Sequence, residues 1–210
     1  MINIIIADDH AIVREGLKQI VAEVPDICVI GEAENSSQLF DLLRNKKSNI
    51  VVLDINMPDK SGIDITKDIK LQFPNIPVLI LSMYSEEQYG IRAIKAGASG
   101  YLQKVSAPTE LISAIRKIVS GQKYINPYLA DKLADYFNTA KMEQPHEALS
   151  DREYSVMLKI ASGKTAEAIS SELNISINTF YSYRNRIFEK MHLKSNVEIT
   201  QYVLGNNLLI

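Results

Sequence analysis

Residues 1–121 alternate between short apolar runs and amphipathic stretches. Five runs have the length and composition of strands buried on both faces, as in a parallel sheet. They cover residues 4–9, 27–30, 50–54, 78–82 and 100–104. Between them, aliphatic residues recur at helical spacing, with proline or glycine beyond several of the helix ends. Five strand–helix units in strict succession predict an α/β fold with a doubly wound, parallel, five-stranded sheet.

The pattern changes after residue 121. Residues 122–146 show little periodicity apart from one short helix expected at 127–136, and we interpret this segment as a linker. From residue 147 to 210 the pattern is purely helical, and Ser150 and Ser176 are positioned to cap two of the helices. A short helix over 165–173, a tight turn, and a helix that is polar on one face predict an all-α helix-turn-helix domain.

Charged side chains end three of the predicted strands. Asp8 and Asp9 end the first strand, Asp54 ends the third and Lys104 ends the fifth. Open α/β sheets bind ligands beyond the carboxyl ends of their strands. If the first and fifth strands flank the Asp54 strand, three carboxylates and one ammonium meet there. Such crowded carboxylates need a cation, and oxygen ligands with open water positions suit Mg²⁺. Taken alone, Asp54 would more readily be interpreted as an ordinary polar strand end than as a site.

Composition excludes several classes of protein. The 210 residues suffice for two modest domains, and the net charge of −2 gives no overall basic signal for nucleic acid. Cys28 is the only cysteine, so an intramolecular disulfide is impossible, and we expect it to be a buried strand residue in a reducing compartment. No apolar run approaches the length of a membrane span, and the N-terminal run does not end in a cleavage site. We therefore expect a cytoplasmic protein that binds no membrane.

The order of these motifs resembles, over essentially the whole chain, the two-component response regulators of the NarL/FixJ class, in which a CheY-like receiver precedes a LuxR-type helix-turn-helix domain. The receiver resemblance rests on Asp8-Asp9, Asp54, Met57-Pro58, Gly62, Ser82, residues 97–101 and Lys104. The C-terminal resemblance rests on residues 149–153, Gly163, Ile175-Ser176, Thr179, Arg186-Ile187 and Lys190-Met191. Each motif alone is weak, whereas their order and spacing together are highly specific.

The resemblance implies a phosphorylation-controlled transcriptional regulator. Asp54 would accept a phosphoryl group from a sensor histidine kinase, and this would shift dimerisation and promoter binding. The implied Mg²⁺ ligands are Asp8, Asp9, Asp54 and the backbone carbonyl of Asn56. The implied phosphoryl-binding and switch residues are Lys104, Ser82 and Tyr101. The active form would be a homodimer bound to half-sites on duplex DNA.

The implied DNA-binding residues lie on the second helix of the helix-turn-helix: Thr179, Tyr181, Ser182, Arg184, Asn185, Arg186 and Lys190. In this helix Tyr181 and Tyr183 replace a lysine and a histidine found in much of the class. Tyrosine and serine lack the bidentate fork that arginine offers to guanine. From residue 147 onward seven basic residues balance seven acidic ones, but four cations cluster in and just after this helix. They indicate a local phosphate-contacting patch, or else an ordinary solvated helix face.

Three alternatives remain open at the level of sequence. A phosphotransferase or phosphatase of similar build would need a second acid where Asn56 stands, and the asparagine favours a protein that is not an enzyme. The two tyrosines leave room for a regulator that acts through protein or RNA contacts, which salt-dependent binding to duplex DNA would exclude. A regulator that ignores phosphate is the third alternative, and the intact acidic motif argues against it.

Overall fold

A computed structural model describes residues 1–138 and 144–209. The chain divides into two compact units, Met1–Ala134 and Asp135–Ile210. We describe each unit by itself.

The first unit is a five-stranded parallel sheet with helices on both faces, which confirms the predicted fold class. Its elements in chain order are β1 (Ile2–Ala7), α1 (Ala11–Ala22), β2 (Ile27–Ala33), α2 (Ser36–Asn45), β3 (Ile50–Asp54), α3 (Gly62–Gln72), β4 (Val78–Ser82), α4 (Glu86–Lys95), β5 (Gly100–Gln103), α5 (Ala107–Val119) and the part of α6 (Pro127–Asn138) up to Ala134. Strands β3 and β4 are buried along their whole length. Complete burial on both faces explains their uninterrupted apolar sequences.

The strand order is β2-β1-β3-β4-β5. The expectation that the first and fifth strands both flank the Asp54 strand is therefore half right. β1 pairs directly with β3, with Ala7 opposite Leu53, but β4 separates β3 from β5. Lys104 is also not a strand residue, since it begins a 3₁₀ turn, Lys104–Ser106, just beyond β5. Its side chain must reach past the end of β4 to approach Asp54.

One local expectation is wrong, and two helix starts have their own geometry. Cys28 lies in β2 as predicted, but it is exposed because β2 is an edge strand of the sheet. The cap of α2 is Asn35, whose side chain accepts a hydrogen bond from the backbone N–H of Gln38. Ser85 precedes α4, but its side chain forms no capping hydrogen bond. These differences concern local geometry and leave the order of the elements unchanged.

The segment after α5 extends the sheet. The backbone N–H of Tyr124 donates to Ser99 O at 2.9 Å, and Tyr101 N–H donates to Tyr124 O at 3.1 Å. Helix α6 then packs its first turns on α4, where Leu129 is 1% exposed. A Cβ atom on Gly90 would lie 2.8 Å from Leu129 Cδ2. The glycine in α4 is thus what allows this close approach.

The second unit is all-α, as predicted. After a 3₁₀ turn at Pro145–Ala148 it comprises α7 (Asp151–Ala161), α8 (Ala166–Glu172), α9 (Ile177–Met191) and α10 (Asn196–Gly205). The predicted capping box at Ser150 is present, and the Ser176 side chain caps α9. Helix α9 buries Phe180, Ile187 and Met191. No helix in the described part of the chain is long and apolar enough to cross a membrane.

Candidate functional site

Pairing of β1 with β3 brings the predicted carboxylates together. Asp8 follows β1 and is 1% exposed, and Asp54 ends β3 and is 2% exposed. Ligand atoms of Asp8, Asp9, His10 and Asp54 all lie within 4.8 Å of one another. Gly62 allows α3 to begin against the end of β3, because a Cβ atom there would lie 2.2 Å from Asp54 O. The carboxylates thus lie at the carboxyl edge of the sheet, where the sequence predicted them.

Lys104 is the cation of this cluster. Its Nζ lies 2.7 Å from Asp8 Oδ2 and 3.1 Å from Asp54 Oδ2, and its side chain is 11% exposed. Burial by itself lowers the pKa of Lys104, but the carboxylates of Asp54 and Asp8 outweigh burial and hold this pKa above its usual value. Lys104 is therefore a charged ammonium aimed at both carboxylates.

Asp54 is held in an environment that disfavours its charge. Burial raises the pKa of Asp54 to about 6, Lys104 opposes this rise, and the neighbouring Asp8 adds to it. Its Oδ1 atom is buried and has no hydrogen-bond partner among the described residues. Three carboxylates face one ammonium, so a divalent cation with oxygen ligands fits the charge and the free oxygen atoms of this cluster.

Two further residues belong to this site, and the sequence analysis did not select them. His10 is the N-cap residue of α1, and its Nδ1 lies 2.6 Å from Asp9 Oδ1. Arg14 is 7% exposed, and it donates to Asp8 O at 2.7 Å while pairing with Glu34 at 2.6 Å. The available signal was the position of Arg14 on the apolar face of the predicted helix, three residues before Leu17, because a guanidinium on such a face must have partners.

The predicted switch residues lie on the neighbouring strands. Ser82 ends β4, and its Oγ accepts a hydrogen bond from the backbone N–H of Tyr84 at 3.0 Å. Tyr101 of β5 is fully buried, and its hydroxyl donates to Tyr84 O at 3.0 Å. Burial raises the pKa of Tyr101 well above its usual range. Both residues therefore hold the loop that follows β4. Asn56 lies half-buried in the loop after β3, two residues beyond Asp54.

The predicted DNA-binding residues differ in their surroundings. Those with exposed side chains are Tyr181, Ser182, Asn185, Arg186 and Lys190, whereas Thr179 and Arg184 are half-buried. The guanidinium of Arg184 lies over the Tyr181 ring at 4.8 Å and over the Phe188 ring at 5.5 Å from the centroids. Thr179 Oγ1 is 2.8 Å from Ser176 Oγ within the cap of α9. Arg186 is thus a cation on the exposed face of α9.

The Lys190 ammonium forms an ion pair with a carboxylate of the second unit itself. Its Nζ lies 2.7 Å from Glu153 Oε2, and the Glu153 side chain is only 3% exposed. Burial raises the pKa of Glu153, but Lys190 and the backbone N–H of Ser150 outweigh burial and hold this pKa below its ordinary value. Lys190 therefore neutralises a buried carboxylate of the α7 capping box. Its contact with DNA stays a prediction.

Comparison with known proteins agrees with both halves of this architecture. Residues 4–116 match the family model described as response regulator receiver domain, and residues 147–203 match that of bacterial regulatory proteins, luxR family. The chain is 35% identical to the response regulator UvrY of Escherichia coli strain K12 over 209 residues, which cover 99% of this chain and 96% of that protein. It is 34% identical to the response regulator GacA of Pseudomonas aeruginosa over 210 residues, which cover 100% and 98%.

Solved structures show the same similarity. RcsB from Salmonella enterica serovar Typhimurium, bound to promoter rprA in the presence of phosphomimetic BeF₃⁻, aligns with a TM-score of 0.63 at 26% identity over 97% of this chain and 98% of that one. These matches span both units and accord with the acidic site and the helix-turn-helix described above. The chain therefore belongs to the response regulators, as a phosphorylation-controlled transcriptional regulator in which a receiver domain precedes a LuxR-type DNA-binding domain.

Proposed function

We propose that Asp54 is the phosphoacceptor of this regulator and that a sensor histidine kinase supplies the phosphoryl group. A carboxylate oxygen of Asp54 would form the new bond to phosphorus while the bond from phosphorus to the kinase histidine nitrogen breaks. The observation that carries this proposal is the pairing of Lys104 with both Asp8 and Asp54 at the carboxyl edge of the sheet. At this position the Lys104 ammonium can offset the negative charge of the incoming phosphoryl group.

The acidic cluster would hold Mg²⁺. Asp8, Asp9 and Asp54 would supply carboxylate oxygens, and Asn56 its backbone carbonyl. The ion offsets the charge of the phosphoryl group, which is the main electrostatic requirement of such transfers. The Lys104 ammonium would bind phosphoryl oxygens. In our proposal the chain has no further enzymatic activity, in keeping with a regulator family.

Phosphorylation would act on the loop that follows β4. The added group carries roughly −1.5 to −2 charges. The Ser82 hydroxyl would turn to donate to the phosphoryl group, and this would weaken the hydrogen bond that Ser82 Oγ accepts from the backbone N–H of Tyr84. The backbone carbonyl of Tyr84 in turn accepts a hydrogen bond from the Tyr101 hydroxyl. Such a change biases a two-state loop and the start of α4, and alters the surface between β4 and β5.

The output would be promoter binding by a homodimer. RcsB, the structural relative, is described in a complex of two dimers bound to two parallel DNAs. In this chain we assign the receiver to residues 1–121, the linker to 122–146 and the DNA-binding domain to 147–210. The exposed face of α9 would read the major groove through Tyr181, Ser182, Asn185 and Arg186, with Thr179, Arg184 and Lys190 as flanking contacts.

The test is intact mass spectrometry after incubation with acetyl phosphate and Mg²⁺. Wild type and Asp41→Asn should gain the mass of one phosphoryl group, whereas Asp54→Asn should gain none. Asp41 is a matched control because its carboxylate forms an exposed pair with Arg44 on α2. Equal phosphorylation of the Asp54→Asn protein would refute the assignment. Binding of the phosphorylated protein to duplex DNA should weaken steeply with salt, and salt-independent binding would contradict the DNA-binding role.

A further inference from the structure

A polar cleft lies at the edge of the sheet opposite to the acidic cluster. Its volume is about 380 Å³, and it is formed by residues at the amino ends of β3, β4 and β5 together with the segment that follows α5. Amide and hydroxyl side chains line it, namely those of Asn49, Asn75, Ser99 and Gln122. Two lysines, Lys70 from the end of α3 and Lys123 from the segment after α5, complete it. We call it the dilysine cleft.

The two ammonium groups are held in place by the backbone. Lys70 Nζ donates to Ile76 O at 2.6 Å, and Lys123 Nζ donates to Ala98 O at 2.7 Å. The stem of Lys70 passes directly over Gly97, where a Cβ atom would lie 2.8 Å from Lys70 Cγ. An ammonium has three N–H donors, so each lysine retains donors for a ligand. The cleft is thus built with its donors in position.

The charge of the cleft is not balanced by the protein. None of the residues that line it is acidic, and within residues 1–138 and 144–209 no carboxylate forms an ion pair with either lysine. Burial lowers the pKa of Lys70, and the charge of Lys123 lowers it further. Burial also lowers the pKa of Lys123. Two like charges that share a partly buried site are unfavourable unless an opposite charge joins them.

We propose that the dilysine cleft binds a small phosphate-class oxyanion. A tetrahedral oxyanion with two negative charges can accept hydrogen bonds from both ammonium groups and from the surrounding amide and hydroxyl groups at once. Because Lys70 lies in α3 and Lys123 lies in the segment after α5, the anion ties the end of α3 to that segment. Tyr124, next to Lys123, is bonded to the backbone of β5. The anion therefore stabilises the start of the connection to the DNA-binding domain.

Isothermal titration calorimetry of the full chain with sodium phosphate tests this site. Mg²⁺ is omitted, so that the carboxylates around Asp54 repel the probe. Sodium chloride holds the ionic strength constant. Wild type should bind it, and Lys70→Gln and Lys123→Gln should each bind about tenfold more weakly, as expected for loss of one charge-assisted hydrogen bond. Lys67→Gln is the matched control, because Lys67 lies on the same helix and pairs with Asp64 on the surface.

Two calorimetric outcomes would overturn the proposal. One is the absence of binding heat with wild type. The other is equal affinity of the Lys123→Gln and Lys67→Gln proteins, which would indicate an effect of overall charge only. The wild-type titration by itself tests the proposal even if a variant does not fold. Phosphate should shift the amide resonances of Ser99 and Gln122 in ¹H–¹⁵N spectra, and shifts confined to Asp8 and Asp54 would place the anion elsewhere.

Discussion

Substitution of Asp54 by asparagine should stabilise the metal-free protein. The ionised Asp54 carboxylate is buried beside Asp8, and Lys104 opposes the two negative charges. Asparagine has nearly the same shape and removes the charge. We therefore expect Asp54→Asn to unfold at higher denaturant concentration than wild type when Mg²⁺ is absent.

The magnitude follows from the pKa of Asp54. Its rise from 3.8 to about 6 corresponds to about 3 kcal/mol of destabilisation by the ionised group at neutral pH. The group is 2% exposed, so solvent screens this effect little. The asparagine amide offsets part of this gain in the free energy of unfolding, since a buried amide without full hydrogen bonding costs roughly 1 kcal/mol. The expected net gain is about 2 kcal/mol.

The pH dependence has a definite sign. The pKa of Asp54 is higher in the folded protein than in the unfolded chain, so ionisation of this carboxyl destabilises the fold. The advantage of Asp54→Asn should therefore be full above about pH 6 and shrink as the pH falls toward about 4, where the carboxyl is increasingly protonated in both states. Added Mg²⁺ should reduce or reverse the advantage, because the ion offsets the carboxylate charge in wild type and loses a ligand in the variant.

Urea unfolding of the full chain, followed by far-UV circular dichroism and fitted with one transition for each unit, measures these differences. Asp41→Asn is the control, and its exposed carboxylate should change stability by less than about 0.5 kcal/mol. Two results would refute the reasoning. The first is a lower stability of Asp54→Asn than of wild type in metal-free buffer at neutral pH. The second is a gain that stays constant from pH 4 to pH 8.

Three further substitutions test the roles assigned to single side chains. Lys190→Met should destabilise the second unit by about 1–3 kcal/mol in urea unfolding, because it leaves the buried Glu153 carboxylate without its cation. Arg186→Ala should leave stability unchanged and should lower both the affinity for DNA and the salt dependence of that affinity. The reverse pattern would contradict the assigned roles. Leu129→Ala should cost the first unit about 2–4 kcal/mol, since the side chain is buried against Gly90, and a cost below about 1 kcal/mol would show that α6 is not firmly packed on α4.

Local pattern was sufficient for the elements and for much of the site. The uninterrupted apolar runs of β3 and β4 require burial on both faces, and this requirement predicts a parallel sheet. A parallel sheet in turn places Asp8 and Asp54 at one edge, because the strands end on the same side. The Ser150 capping box could also be predicted, since its two hydrogen bonds join residues only three positions apart.

The sequence pattern did not predict which distant groups become partners. Periodicity repeats within one element and does not encode the order of strands, so it could not place β4 between β3 and β5 or show that Lys104 reaches both carboxylates. The same holds for the exposure of Cys28, which depends on β2 being an edge strand.

The sequence alone therefore determined the class of fold, the succession of elements and the acidic edge, because each depends on neighbouring residues and on the burial of whole strands. Only the tertiary structure decided the ionic partners. Lys190 faces Glu153, 37 positions earlier in the chain, and Lys70 shares a cleft with Lys123. Such pairs form where packing of apolar faces brings separate elements together, and the charged residues that meet there leave no local signal of their own in the sequence.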